Sequence, residues 1–228
     1  MKTIMRSPAF TVALFALAVV LLGFGTVGAV QAAPRIVSGD YRAQVQLSDI
    51  ETALVENGTV REGNNTILVL DELLANNPTN GVVDKEFKIG KKYGTKLAVR
   101  NTGNIDEFVR VTVRAYWTNK AGNKVLDVDP SLIKLHFVTN GGWTIDKAAS
   151  HADARGERTV LYYGSSIAPS EDTNVFVDAV TIDGSVVTAV TDGKYDYNDL
   201  QFRVEAEADA VQTHNGKAAM TSAWGRTN

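Results

Sequence analysis

From Phe108 to Trp117 apolar and polar residues alternate without a break, and no other stretch constrains the fold of this chain as tightly. Val109, Val111, Val113, Ala115 and Trp117 fall on one face of an extended strand, and Phe108, Arg110, Thr112, Arg114 and Tyr116 on the other, because successive strand side chains point to opposite sides. A small apolar face set against a mixed polar face is the pattern of one layer of an antiparallel sandwich. Just upstream, Asn101, Gly103 and Asn104 tolerate a left-handed backbone and mark a turn into the strand. The run predicts architecture and contains no catalytic chemistry.

The N-terminus adds a destination. Lys2 and Arg6 precede an uncharged stretch from Ser7 to Pro34, with an apolar core from Ala9 to Leu22 and small residues around Val30-Gln31-Ala32. This order is that of an export signal, residues 1–32, cut after Ala32; a cut after Ala33 would leave Pro34 just past the scissile bond, which is disfavoured. The competing reading is an uncleaved anchor, since the uncharged run exceeds the roughly 7 to 15 apolar residues of a signal core and reaches the roughly 20 that span a bilayer. Both readings place the remainder, 33–228, outside the cell as a single domain, with the membrane a partner only during export. Removing residues 1–32 takes away two of the 23 basic residues and none of the 26 acidic ones, leaving a formal charge of −5. Nucleic acid is therefore an unsuitable partner. The chain has no cysteine, which excludes a disulfide framework, a thiolate nucleophile and a Cys-type zinc site. The domain must be held by its core, and its length suffices for one.

Downstream of Pro34, strand signals recur with turns between them, and the fold class expected is all-β: a jelly-roll-like two-sheet antiparallel sandwich with short helical pieces and one C-terminal helix. The strands are placed at Tyr41 to Leu47, Ile50 to Val55, Glu86 to Ile89, Lys96 to Arg100, Phe108 to Trp117, Ile133 to Val138, Trp143 to Ile145, Arg158 to Tyr163, Asn174 to Ile182, Ser185 to Val190 and Gln201 to Ala208. Asn57-Gly58 and Asn119 to Asn123 are turns, Asp71 to Ala75 a helical turn, and Asp146 to Gly156 a polar loop. Asn215 caps a helix from Gly216 to Trp224 that Gly225 stops, and its Met220 and Trp224 face the sandwich as core anchors.

Candidate chemistry is sparse. His136, His151 and His214 lack metal-ligand spacing, and there is no HExxH. Asp192, Asp196, Asn198 and Asp199, interleaved with Tyr195 and Tyr197, offer oxygen donors of the kind calcium takes. Without the glycine turn and bidentate glutamate of an EF-hand, a solvated hairpin loop is the preferred reading, with calcium as the alternative. Gly164-Ser165-Ser166 is not a nucleophile elbow, and Gly141-Gly142 opens no helix that would bind phosphate. Arg110 and Arg114 are expected in cross-strand ion pairs. The expectation is a protein that is not an enzyme and holds no cofactor.

Five strings carry a resemblance: NTGNIDEFVRVTVRAYW from Asn101, ERTVLYYG from Glu157, VTIDGSVVTAVT from Val180, YDYNDLQF from Tyr195 and DAVQTHNGKAAMTSAWG from Asp209. Together they resemble secreted Gram-positive proteins of the TasA and camelysin group, exported with signal peptides of the type handled by the SipW signal peptidase. The resemblance implies a jelly-roll subunit of an extracellular biofilm-matrix fibre, with copies of itself and an accessory anchor protein as partners. It also implies polymerisation by donor-strand exchange, and the mature N-terminal segment suits that role: Ile36, Val37, Tyr41, Val45 and Leu47 would supply apolar pegs and main-chain hydrogen bonds to an open sheet edge. Alternatively, Tyr41 to Leu47 pairs within its own subunit. A monomeric cell-surface binding module for a host or polysaccharide ligand is the second functional reading. A camelysin-like metalloprotease is the third, and no metal-ligand motif of this sequence supports it.

Overall fold

The computed structural model describes residues 49–68, 70–151, 155–189 and 200–226. Residues 1–32, expected to be an export signal, the segment with Ile36, Val37, Tyr41, Val45 and Leu47, and the acidic cluster from Asp192 to Asp199 lie outside the described residues. What is described is an all-β, jelly-roll-like sandwich of two antiparallel sheets. The first contains β1 (Thr52–Glu56), β2 (Thr59–Val60), β4 (Tyr93–Asn101), β7 (Ile133–Phe137) and β10 (Val177–Ile182), in the order β2-β1-β4-β10-β7. The second contains β3 (Asn65–Ile67), β5 (Glu107–Asn119), β8 (Trp143–Asp146), β9 (Arg158–Tyr163) and β11 (Leu200–Gln212), in the order β3-β11-β5-β9-β8. The two-residue β6 (Lys124–Val125) folds back on the end of β5 after a turn through Gly122.

The alternation of β5 sets the second sheet. Val109, Val111, Val113, Ala115 and Trp117 are all buried, and across the register stand the small residues Ala210, Ala208, Ala206 and Val204 of β11. Large residues on one strand are thus matched by small ones on its neighbour, so the inner face stays level enough for the first sheet to pack on it. From that sheet come Leu54, Tyr93, Leu97, Val99, Val177 and Val180, each fully shielded from solvent. Trp143 joins the layers: its indole lies 5.3 Å from the Phe176 ring, and its Nε1 donates to the Asn174 carbonyl at 2.7 Å, which satisfies a donor that would be costly to bury alone.

Short helices decorate the strands: α1 (Leu70–Ala75), α2 (Lys147–His151), α3 (Val186–Ala189) and α4 (Gly216–Trp224). Two of these correct the sequence reading. Ser185 to Val190 was expected as a strand, yet Val186–Ala189 is helical: Asp183 accepts from the Ser185 N–H at 2.9 Å, starting a turn that overrides the β preference of the valines. The expected polar loop from Asp146 contains α2, whose Ala149 N–H bonds the Asp146 carboxylate. Glu86 to Ile89 forms no strand either. That segment is tied down as a loop by Asp84, which accepts from Thr79, Lys88 and Lys91, and by the Tyr93 hydroxyl, which accepts from the Lys88 N–H.

The C-terminal helix spans the expected residues, but its ends work differently. Asn215 has a left-handed backbone and makes no side-chain cap; Gly225 stops the helix, also left-handed, its N–H returning to Met220 and Thr221 carbonyls. Trp224 is not a core residue. It is half-buried on the outer face of the second sheet, 5.5 Å from the Tyr162 ring and 5.3 Å from the Arg110 guanidinium. Buried Gly216 lets the helix approach Phe108 so closely that a Cβ would lie 2.6 Å from the ring.

Candidate functional site

The sandwich has one incompletely built side, where β1 and β2 of the first sheet lie beside β3 and β11 of the second. β11 is paired with β5 along its whole length, Leu200↔Asn119 through Gln212↔Glu107. On its other side β3 covers only Glu205, Ala206 and Glu207. Two further bonds extend the contact, from the Leu68 N–H to the Val204 carbonyl and from the Ala208 N–H to the Asn64 carbonyl. Since even-numbered residues turn their main-chain groups towards β3, the next pair, Ala210 and Gln212, presents N–H and C=O groups to an edge with no strand partner among the described residues. β1 is similar: β4 pairs with all of it, while β2 pairs only with Val55 and Glu56.

Along this side runs a groove of about 500 Å³. Ile50, Glu51 and Thr52 form one wall, Ala208, Asp209 and Ala210 the other, and Trp224 closes one end. Ile50 in its wall is exposed, as are Val60 on β2 and Ile67 on β3, apolar surface that short edge strands of a folded protein usually avoid. The polar outer face next to the groove is neutralised internally. Arg110 pairs with Asp209 at 2.7 Å and Arg114 with Glu207 at 3.6 Å, so both arginines are in the cross-strand pairs expected of them.

The turn from Asn101 to Asn104 positions the chain as it enters this side. Thr102 and Gly103 N–H groups both donate to the Glu51 carbonyl, at 2.8 and 3.0 Å, and the Asn104 N–H donates to the Asp49 carbonyl at 3.1 Å. Asn104 Oδ1 accepts from the Asp49 N–H at 2.8 Å. Asn101, fully buried, anchors the turn: its Nδ2 donates to the Ile105 and Ile167 carbonyls and its Oδ1 accepts from the Gly103 N–H. The Asn-Thr-Gly string therefore clamps the residues immediately ahead of β1, the point from which the N-terminal segment departs.

At the same end, Glu107 is fully buried and neither of its carboxylate oxygens has a hydrogen-bond partner among the described residues. Loss of water pushes its pKa up to about 8, so the group is mostly neutral at pH 7. The sequence reading missed it, although its parity with Val109 and Val111 already put it on the core face.

The histidines do not converge. His136 lies on β7 with its Nδ1 2.5 Å from Asp178 Oδ1, His151 ends α2 and His214 precedes α4. Among the described residues no three His, Asp or Glu side chains are grouped to hold a metal ion, and no helix is long and apolar enough to cross a membrane. Comparison with known proteins gives no match to a family model, a curated protein or a solved structure.

Proposed function

We propose that this chain is a secreted structural protein, a subunit of an extracellular matrix fibre that polymerises by strand donation. The observation that carries the reading is the edge of β11 at Ala210 and Gln212, which has no strand partner among the described residues and lies beside a groove lined by Ile50 and Trp224. The donor is the N-terminal segment of another copy, with Ile36, Val37, Tyr41, Val45 and Leu47 as its pegs. Main-chain hydrogen bonds would supply affinity and the groove wall would select side chains, as in other cases of strand addition. The clamp on Asp49 to Glu51 suits such a subunit, because it fixes the residues immediately ahead of β1 beside the groove.

Electron microscopy and sedimentation of the secreted chain test this, with three proteins compared: intact, lacking residues 33–47, and carrying Ala210→Pro. Proline at Ala210 removes the N–H that faces the empty edge and leaves the bonds to β5 in place. Fibres from the intact chain alone support strand donation. A chain that stays monomeric at high concentration refutes it and favours a cell-surface binding module.

A further inference from the structure

Glu107 calls for an explanation of its own, because a buried carboxyl with both oxygens unpartnered is a feature folded proteins rarely tolerate. It opens β5, facing Gln212 across the β11 register, and its main chain exchanges two bonds with Ile167. On its own strand face the next residue is Val109, opposite Ala210, a wall residue of the groove. Glu107 thus sits one step inward from the empty edge.

We propose that Glu107 is a proton switch for this edge, holding the end of β5 and β11 closed while its carboxyl is protonated and loosening it on ionisation. The proposal rests on the strand-acceptance reading and names its regulation. The charged and titratable groups of the surrounding elements are Glu51 ahead of β1, Asp106 in the preceding turn, Glu171 after Ile167, and His214 ahead of α4, together with the pairs Arg100–Asp172 and Arg110–Asp209. None of them sets the protonation of Glu107; burial alone raises its pKa from 4.5 to about 8. Among the described residues no cation meets an anion formed there, which is then relieved by admitting water or by moving outward. Both open the end of the strand pair that borders the groove.

The sign is fixed by linkage. The folded state keeps the proton longer than the unfolded chain, so the stabilisation is complete below pH 4.5, declines as pH rises, and is gone once pH passes about 8. Urea unfolding of the full secreted chain between pH 5 and 9 reads this against Glu107→Gln, with Glu107→Met as a second neutral variant should glutamine fold poorly. The unfolding constant of the wild type relative to the neutral variant is expected to rise about tenfold per pH unit up to about pH 8 and then level off. Capture of a labelled peptide of residues 33–47 is expected to be faster at pH 8.5 than at pH 5.5 for the wild type, and equal at both for the variants. Coincident pH profiles for wild type and variants, or equal capture by the wild type at the two pH values, overturn the switch and leave strand acceptance standing. No capture at any pH, with the difference in unfolding intact, overturns strand acceptance instead and leaves the proton-linked core carboxyl.

Discussion

Gly103→Ala is the sharpest test of how the Asn-Thr-Gly turn works. A Cβ at this position would lie 2.3 Å from the Asp49 carbonyl oxygen and 2.9 Å from the Glu51 nitrogen. Both are main-chain atoms, so neither can rotate away as a side chain would. The segment from Asp49 to Glu51 must then lift off the turn, and four hydrogen bonds join the two. At about 0.5–1.5 kcal/mol net for each, losing most of them costs about 2–4 kcal/mol. Alanine offsets about 0.4–1 kcal/mol of this by restricting the unfolded chain. A net loss of about 1–3.5 kcal/mol remains, a sizeable share of the roughly 5–15 kcal/mol that holds a domain together. Urea denaturation of the chain measures it as a lower midpoint at unchanged slope. Gly184→Ala is the control, since nothing stands within 4 Å of its Cβ and its backbone is ordinary. If Gly103→Ala unfolds within about 0.5 kcal/mol of the wild type, the clamp does not hold the segment and the close approach is without consequence.

Two further perturbations separate other parts of the structure. Trp143→Ala removes a side chain from between the sheets and is expected to cost about 3–5 kcal/mol, whereas Trp224→Ala loses only its contacts with Tyr162 and Arg110 and should cost about 1–2 kcal/mol; the opposite order in urea unfolding would return Trp224 to the core. Asp84, held well below the usual carboxylate range by Lys88 first, then Lys91 and Thr79, contributes order that is present above pH 3.8 and lost as pH falls further. Hydrogen exchange should therefore show residues 79 to 92 loosening in acid before the sandwich melts, and Asp84→Asn should loosen them at neutral pH.

How much of this was legible in the residues depended on the length of each periodic run. Phe108 to Trp117 is long enough for alternation to identify strand and face together, whereas Arg158 to Tyr163 is recognisable as a strand from its β-branched and aromatic residues without indicating a face; both are strands. Ser185 to Val190 misled because its valines favour a strand, while the Asp183 carboxylate, two residues ahead of Ser185, starts a turn that decides the geometry. Glu86 to Ile89 is too short for its pattern to outweigh the salt bridges that fasten it as a loop. The incomplete edge could not be read at all. Its existence depends on β2 and β3 being two and three residues long, and on which long strand each one meets, neither of which any local pattern encodes.

The other sheet margins show why this edge is unusual. β7 ends the first sheet with exposed Lys134 and His136 on its outer face, paired with Asp183 and Asp178, and charge of that kind discourages a foreign strand. β8 ends the second sheet after four residues and passes straight into α2. On the β11 margin the stretch without a strand partner among the described residues instead offers Ala210, beside Asp209, which is paired with Arg110. The stretch itself contains neither a lysine nor a proline. Yet the opening is small, because β3 occupies the register up to Asn64 and only Asp209 to Gln212 remain beyond it. A newcomer therefore gains few main-chain bonds from β11 alone, and those bonds are indifferent to its sequence. On the strand-donation proposal any selectivity would therefore have to come from side chains fitted against Ile50, Thr52 and Trp224, and a matched segment would bind more firmly than an arbitrary strand.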